Sequence, residues 1–168
     1  MSEIIRVGKP DDLSEVMEII QEAKDYLAAQ GIDQWQNGYP DEFQIQKDLA
    51  TKDSYVLKVN GITTGFAFLN IGIDEAYEAI TDGSWEKVDG QYAAIHRLAV
   101  SNAFRGRGLS KKFMALLIEE LENRGINDIR IDTHKDNVIV QKLARGLGFE
   151  YKGQVIYEGP RMAFQLVK

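Results

Sequence analysis

The 168-residue chain contains no cysteine, so disulfides, thiolate metal centres and a cysteine nucleophile are all excluded. It has only two histidines, three prolines and two tryptophans. No apolar run approaches the ~20 residues a membrane-spanning helix needs, and the polar start MSEIIRVGKPDD does not read as a signal peptide. We therefore expect a cytoplasmic location, with neither a membrane partner nor a metal. Repeats, low-complexity tracts and interdomain linkers are lacking as well, and the length suits one well-buried core rather than two. The expected organisation is a single domain over residues 1–168.

An overall excess of positive charge is missing too: the net charge is −6. That balance disfavours nucleic acid, the more so because no aromatic interleaving accompanies the basic residues. The charge is nevertheless uneven. Residues 1–100 hold 8 Lys/Arg against 18 Asp/Glu, and residues 101–168 hold 12 against 8. The basic part can attract a polyanion and the acidic part a cation, or both can be solvated faces.

What is present reads as alternating strands and helices. EIIRVGK suits a first strand. Leu13, Val16, Met17, Ile20, Ala23 and Leu27 recur at helical spacing, and Gly31 marks the stop. Pro40 suits the first turn of a second short helix running to about Leu49. SYVLKVN and ITTGFAFLNI form a hairpin around Asn60-Gly61, the strongest short turn signal. Residues 72–91 are a long excursion, which Tyr77 and Trp85 favour as packed rather than disordered.

YAAIHRLAV reads as a central strand covered on both faces. Leu109, Phe113, Leu116, Leu117 and Leu121 trace a helix that ends by Gly125. DIRIDT is the next strand. NVIVQKLARGLG is a helix capped by Asn137, and FEYKGQVIY with RMAFQLV closes the chain as a hairpin. The expected fold is α/β: a mixed central sheet of about seven strands flanked by about four helices.

The stretch RGRGLSKK joins a strand to a helix. Its glycines allow a tight turn and close approach of a ligand to the backbone. The first N–H groups of the following helix lack internal partners and sit at the positive end of its dipole. That makes an anion site suited to pyrophosphate, and Arg105, Arg107, Lys111 and Lys112 raise the local potential. A Walker P-loop is not supported, since no Gly-Lys-Ser/Thr follows the glycines. The competing reading is a basic turn with solvated side chains.

IHRLAV, RGRGLS and THKDN…LARGLGF together resemble the GNAT (general N-acetyltransferase) superfamily, and the element order resembles it along the whole chain. The family signature, Arg or Gln, two residues, Gly, one residue, then Gly or Ala, corresponds to Arg105 through Ser110. Serine stands at its last position. The resemblance implies an acetyl-CoA N-acyltransferase fold, with Arg105, Gly106, Arg107, Gly108, Leu109, Ser110 and Lys111 at the pyrophosphate. It also implies that the backbone of Leu98, Ala99 and Val100 pairs with the pantetheine arm as an added strand. Asn137 would contact the cofactor, a role that can coexist with helix capping. His134 is a candidate for cofactor or substrate contact, or a plain turn residue. Dimers are common in the family, so a homodimer is compatible with the resemblance.

Acetyl transfer to an amine needs a neutral amine, a polarised thioester carbonyl and a route for the leaving thiolate's proton. A free alkylamine, with pKa near ~10.4, is almost wholly protonated at neutral pH, so a base helps. Period-two alternation would put Ala94, His96, Leu98 and Val100 on one face of the strand. HRLAV resembles HALAV of arylalkylamine N-acetyltransferases, whose histidine belongs to a proton path. That makes His96 the candidate base, the alternative being a packed core histidine. Where many relatives place a tyrosine that protonates the thiolate, this chain has Ala144. Tyr157 is the candidate substitute and Tyr151 the weaker one, although each can simply pack on a strand.

The family's acceptor pocket lies by the connection between the first two helices and the strand before the pyrophosphate loop. That points to Trp35 and Tyr39, and after them to Tyr77, Trp85 and Tyr92. Beside the acidic Asp33, Asp41 and Glu42 they would suit a small-molecule amine. Alternatively the tryptophans cap the core. The expected function is acetyl transfer from acetyl-CoA to a small amine, or to a peptide amine, by direct attack in a ternary complex. The runner-up is a CoA-binding sensor without catalysis.

Overall fold

The computed structural model describes residues 2–104 and 107–168. Among these described residues, seven strands and five α-helices follow one another. They are β1 (Glu3–Val7), α1 (Leu13–Ala29), α2 (Glu42–Leu49), β2 (Ser54–Val59), β3 (Ile62–Ile71), the one-turn α3 (Glu75–Glu78) and β4 (Ala93–Val100). After these come α4 (Leu109–Asn123), β5 (Asp128–Thr133), α5 (Val138–Gly146), β6 (Glu150–Ile156) and β7 (Pro160–Val167). The strands form one mixed sheet in the order β1-β2-β3-β4-β5-β7-β6, as the α/β pattern predicts. Packing divides the chain into two compact units, Met1–Leu69 with His96–Leu117, and Asn70–Ile95 with Ile118–Lys168.

In the first unit α1 presents Val16, Ile19 and Ile20 at helical spacing to Ile45 and Leu49 of α2, Val56 of β2, Phe66 of β3 and Ala99 of β4. Burying side chains of this size contributes roughly 1.5–3 kcal/mol each. The β2–β3 turn adopts left-handed angles at Asn60 and Gly61, φ 50° and 83°, as a two-residue hairpin requires. The start of α2 differs from the proline-based expectation. Asp41 is the N-cap, its side chain accepting from the Gln44 N–H at 2.8 Å, so the helix begins two residues beyond Pro40. The carboxylate satisfies an orphan helix donor, which proline cannot do.

In the second unit β5 pairs with β7 along its whole length, Asp128↔Val167 to Thr133↔Met162, and with β4 in parallel at Ala93↔Ile129 and Ala94↔Arg130. The excursion over residues 72–91 is packed. Tyr77 on α3 is fully buried, Trp85 Nε1 donates to its carbonyl at 2.8 Å, and Thr81 bridges Gln154 of β6. Gln165 clamps Glu86 from both sides, accepting from its N–H at 2.8 Å and donating to its carbonyl at 3.0 Å. Beneath it Arg130 donates to both oxygens of Asp128, at 3.0 and 2.9 Å. Its guanidinium lies over the rings of Trp85 and Tyr92, 4.3 and 3.6 Å from their centroids. Trp85 and Tyr92 thus spend their faces on a buried cation of the chain itself, which favours the core role for both over the acceptor-pocket role.

Bridging Thr81 to Gln154 brings two backbones unusually close. A Cβ added at Gly83 would overlap the Lys152 carbonyl oxygen, and one at Gly153 would collide with the Thr81 carbonyl oxygen.

Candidate active site

At the expected pyrophosphate loop, Gly108 has φ 68° and immediately precedes α4, whose first residue Leu109 is buried. A Cβ at Gly108 would meet no atom within 4 Å, so the space beside the helix entrance is open. Arg107 and Lys111 are exposed and Ser110 is half-buried. The Arg107 guanidinium lies 5.5 Å from the Phe104 ring centroid, and Lys112 reaches Glu3 at 3.1 Å. Arg105 and Gly106 lie outside the described residues. A left-handed glycine, open space and a 15-residue helix starting there fit a pyrophosphate group. Gly108→Val is expected to weaken coenzyme A binding on the order of tenfold with the fold retained. Calorimetric titration with coenzyme A checks it, and an unchanged affinity would remove this loop from the site.

The strand feeding that loop departs from simple alternation. Arg97 takes φ 55°, a left-handed residue inside β4, and His96 and Arg97 are both buried while Leu98 and Val100 are half-buried. Ala99 is buried against the core of the first unit. The expected single face of Ala94, His96, Leu98 and Val100 is therefore interrupted. Its physical reason lies in the Arg97 side chain. Nε and Nη2 donate to the two oxygens of Asp48 on α2, at 2.5 and 2.9 Å, and Nη1 donates to the Tyr39 hydroxyl at 2.6 Å. The guanidinium also lies 4.8 Å from the Phe68 ring centroid. Side-chain exposures of 4% and 2% make Arg97–Asp48 a fully desolvated ion pair.

Trp35 is half-buried and packs against the α1–α2 core, and Tyr39 is half-buried in the same connection. Sequence reasoning reached Tyr39 but not its holders, Arg97 and Asp48. The available signal was an arginine inside a strand that, His96 apart, is apolar.

In the second unit His134 follows β5. Its Nδ1 accepts from the Asp136 N–H at 3.0 Å, which leaves the ring proton of a neutral imidazole on Nε2. It lines an open pocket of about 280 Å³ with Lys135, Gln154, Pro160, Arg161 and Met162. Asn137 is buried and caps α5, accepting from the Val140 N–H at 3.3 Å. Tyr157 lies just past the end of β6 rather than on it, partly buried against the cluster around Tyr77 and Val155. In that cluster the Tyr77 hydroxyl donates to Asp132 at 2.5 Å. Burial pushes the Tyr77 phenol well up, and the neighbouring Asp132 carboxylate adds to the rise. The Tyr77 hydroxyl is thus engaged within the chain by Asp132. Tyr151 is exposed and edge-on to Phe164. Ala144 on α5 is fully buried.

A mixed sheet, a left-handed residue in β4 beside a buried histidine and a left-handed glycine before α4 are the features expected of an acyl-CoA-using transferase. The chain belongs to the GNAT acetyltransferase family, whose model matches residues 15–149. It is similar to a GNAT-family acetyltransferase of Streptococcus agalactiae at 36% identity, with a TM-score of 0.92 over 99% of this chain and 95% of that one. Aminoglycoside N(6')-acetyltransferase type 1 of Salmonella typhimurium is 28% identical over 125 residues, 71% of this chain and 81% of that protein. A shorter match, 39% identical over 57 residues, links it to the ribosomal protein bS18 alanine N-acetyltransferase of Haemophilus ducreyi. That match covers 34% of this chain and 39% of that protein's length. Solved structures sharing the fold hold coenzyme A or acetyl-CoA. The protein is an acetyl-CoA-dependent N-acetyltransferase with acetyl-CoA as its acetyl donor. No helix among the described residues is long and apolar enough to cross a membrane.

Proposed function

We propose that the chain, acting as one N-acetyltransferase domain over residues 1–168, acetylates the nitrogen of a small-molecule amine by direct attack in a ternary complex. The observation that carries this reading is the left-handed break in β4 at Arg97, next to buried His96. Beyond that break, the backbone of Leu98, Ala99 and Val100 would pair with the pantetheine arm and polarise the thioester oxygen. The start of α4, with Gly108, Leu109 and Ser110, holds the pyrophosphate, and Arg105, Gly106, Arg107 and Lys111 complete that grip. His96 takes the proton from the attacking amine and Tyr157 returns one to the thiolate. Trp35 and Tyr39 line the acceptor side, while His134 and Asn137 contact the cofactor. The chain lacks a cysteine to carry the acetyl group, which supports direct attack over a covalent relay on a thiol. The similarity to an aminoglycoside N-acetyltransferase supports a small amine over a peptide terminus.

Incubation with acetyl-CoA and a panel of aminoglycosides, polyamines, arylalkylamines and short peptides, read by release of free thiol, tests the reading. Acetylation of at least one small amine is expected. Turnover only on peptides would redirect the substrate class. Coenzyme A binding without turnover on any member would support the sensor instead, in keeping with Ala144 at the acid position. Absence of coenzyme A binding would remove both.

A further inference from the structure

Arg97 is a bulky residue held in the left-handed region within a strand. Such backbone strain persists only where the surroundings over-determine it, and it gathers at functional sites. Here the surroundings are a three-point clamp. The planar fork of Arg97 engages both Asp48 oxygens from α2, and its remaining nitrogen holds the Tyr39 hydroxyl in the connection between α1 and α2. Phe68 of β3 supports the guanidinium 4.8 Å from its ring centroid. All four residues lie in the first compact unit. Lysine, a point charge without the fork, cannot reproduce the planar two-nitrogen contact with Asp48 while a third nitrogen holds Tyr39.

We propose that Arg97 is a positioning residue for the amine acceptor. It locks the α1–α2 connection, through Tyr39, onto the strand that carries His96, so that the acceptor meets a preformed surface. The inference rests on the reading that Trp35 and Tyr39 line the acceptor side. A loop ordered in advance spares the substrate the entropy of ordering it, so the clamp acts on acceptor affinity. Arg97 works through Tyr39 and not on the reacting atoms.

Tyr39→Phe, Arg97→Lys and the double variant test this. Tyr39→Phe leaves the ion pair intact, so it carries the test alone if Arg97→Lys does not fold. In Tyr39→Phe the acceptor KM is expected to rise roughly tenfold, with kcat and coenzyme A affinity within about twofold. Arg97→Lys should raise KM similarly, and the double variant should be no worse than the poorer single one. Amide hydrogen exchange over residues 31–41 should quicken in each, by about fivefold or more. Unchanged exchange over that segment, or a loss confined to kcat or to coenzyme A affinity, would overturn the proposal. If the wild-type protein acetylates no amine, the transfer reading fails, and the exchange measurement by itself still decides whether the clamp exists.

Discussion

Asp48→Ala is expected to lower the unfolding free energy by about 3–5 kcal/mol, the usual cost of removing one partner of a buried ion pair. Asp48 and Arg97 are almost wholly shielded from water, and the two bonds between them are short. Without the carboxylate, the guanidinium stays surrounded by Phe68 and Tyr39 with two donors facing a cavity. The left-handed turn at Arg97 then loses its main restraint. The cost measures the stranding of a charge and not the net worth of the pair, since desolvating both ions already offsets much of their attraction. An Asp48→Leu, Arg97→Met double variant should consequently be more stable than Asp48→Ala alone. Urea unfolding measures the difference, and a fall in Tm on the order of 10 °C should accompany the single change. A loss below about 1 kcal/mol would contradict a desolvated pair at this position.

His96→Ala should reduce kcat/KM at neutral pH by about a hundredfold or more, the range of a positioned general base. Its dependence on pH is the sharper test. Below the amine's own pKa, near ~10, the acceptor arrives as an ammonium ion and must lose a proton before it can attack. As pH rises toward that value the amine is increasingly neutral on arrival, the base becomes redundant, and variant and wild type should converge. Coenzyme A affinity should not change. A variant profile parallel to the wild-type one across this range would assign His96 to packing.

Features with a local cause were legible in the sequence. Asn60-Gly61 announces its hairpin because the turn itself demands those residues. Asn137 announces α5 because an N-cap needs a short side-chain acceptor, and it makes that bond to Val140. Gly108 before α4 was readable for the same reason, its left-handed φ being a local requirement.

The Arg97–Asp48–Tyr39 clamp has no local cause. Its members stand 49 and 58 positions from Arg97, and nothing in the sequence near Asp48 separates a buried carboxylate from a solvated one. Alternation along β4 was misleading because a buried side-chain network, not the neighbouring residues, sets the backbone of Arg97. Trp85 and Tyr92 stood as secondary acceptor-pocket candidates, with core packing the alternative for Trp85, for a related reason. Their partner Arg130 lies 45 and 38 positions further on, and only the fold brings it against both.

The close approach at Gly83 and Gly153 bears on how this chain can vary. Excursions such as residues 72–91 usually drift freely in sequence because nothing opposes their side chains. Here each of the two glycines faces a carbonyl oxygen of the opposite segment, so neither has room to become even alanine while the other segment stays in place. Together with the Thr81–Gln154 bridge, they couple the two stretches sterically. Exchanging the excursion alone for that of a relative should fail, whereas grafting it together with the matching β6 should succeed.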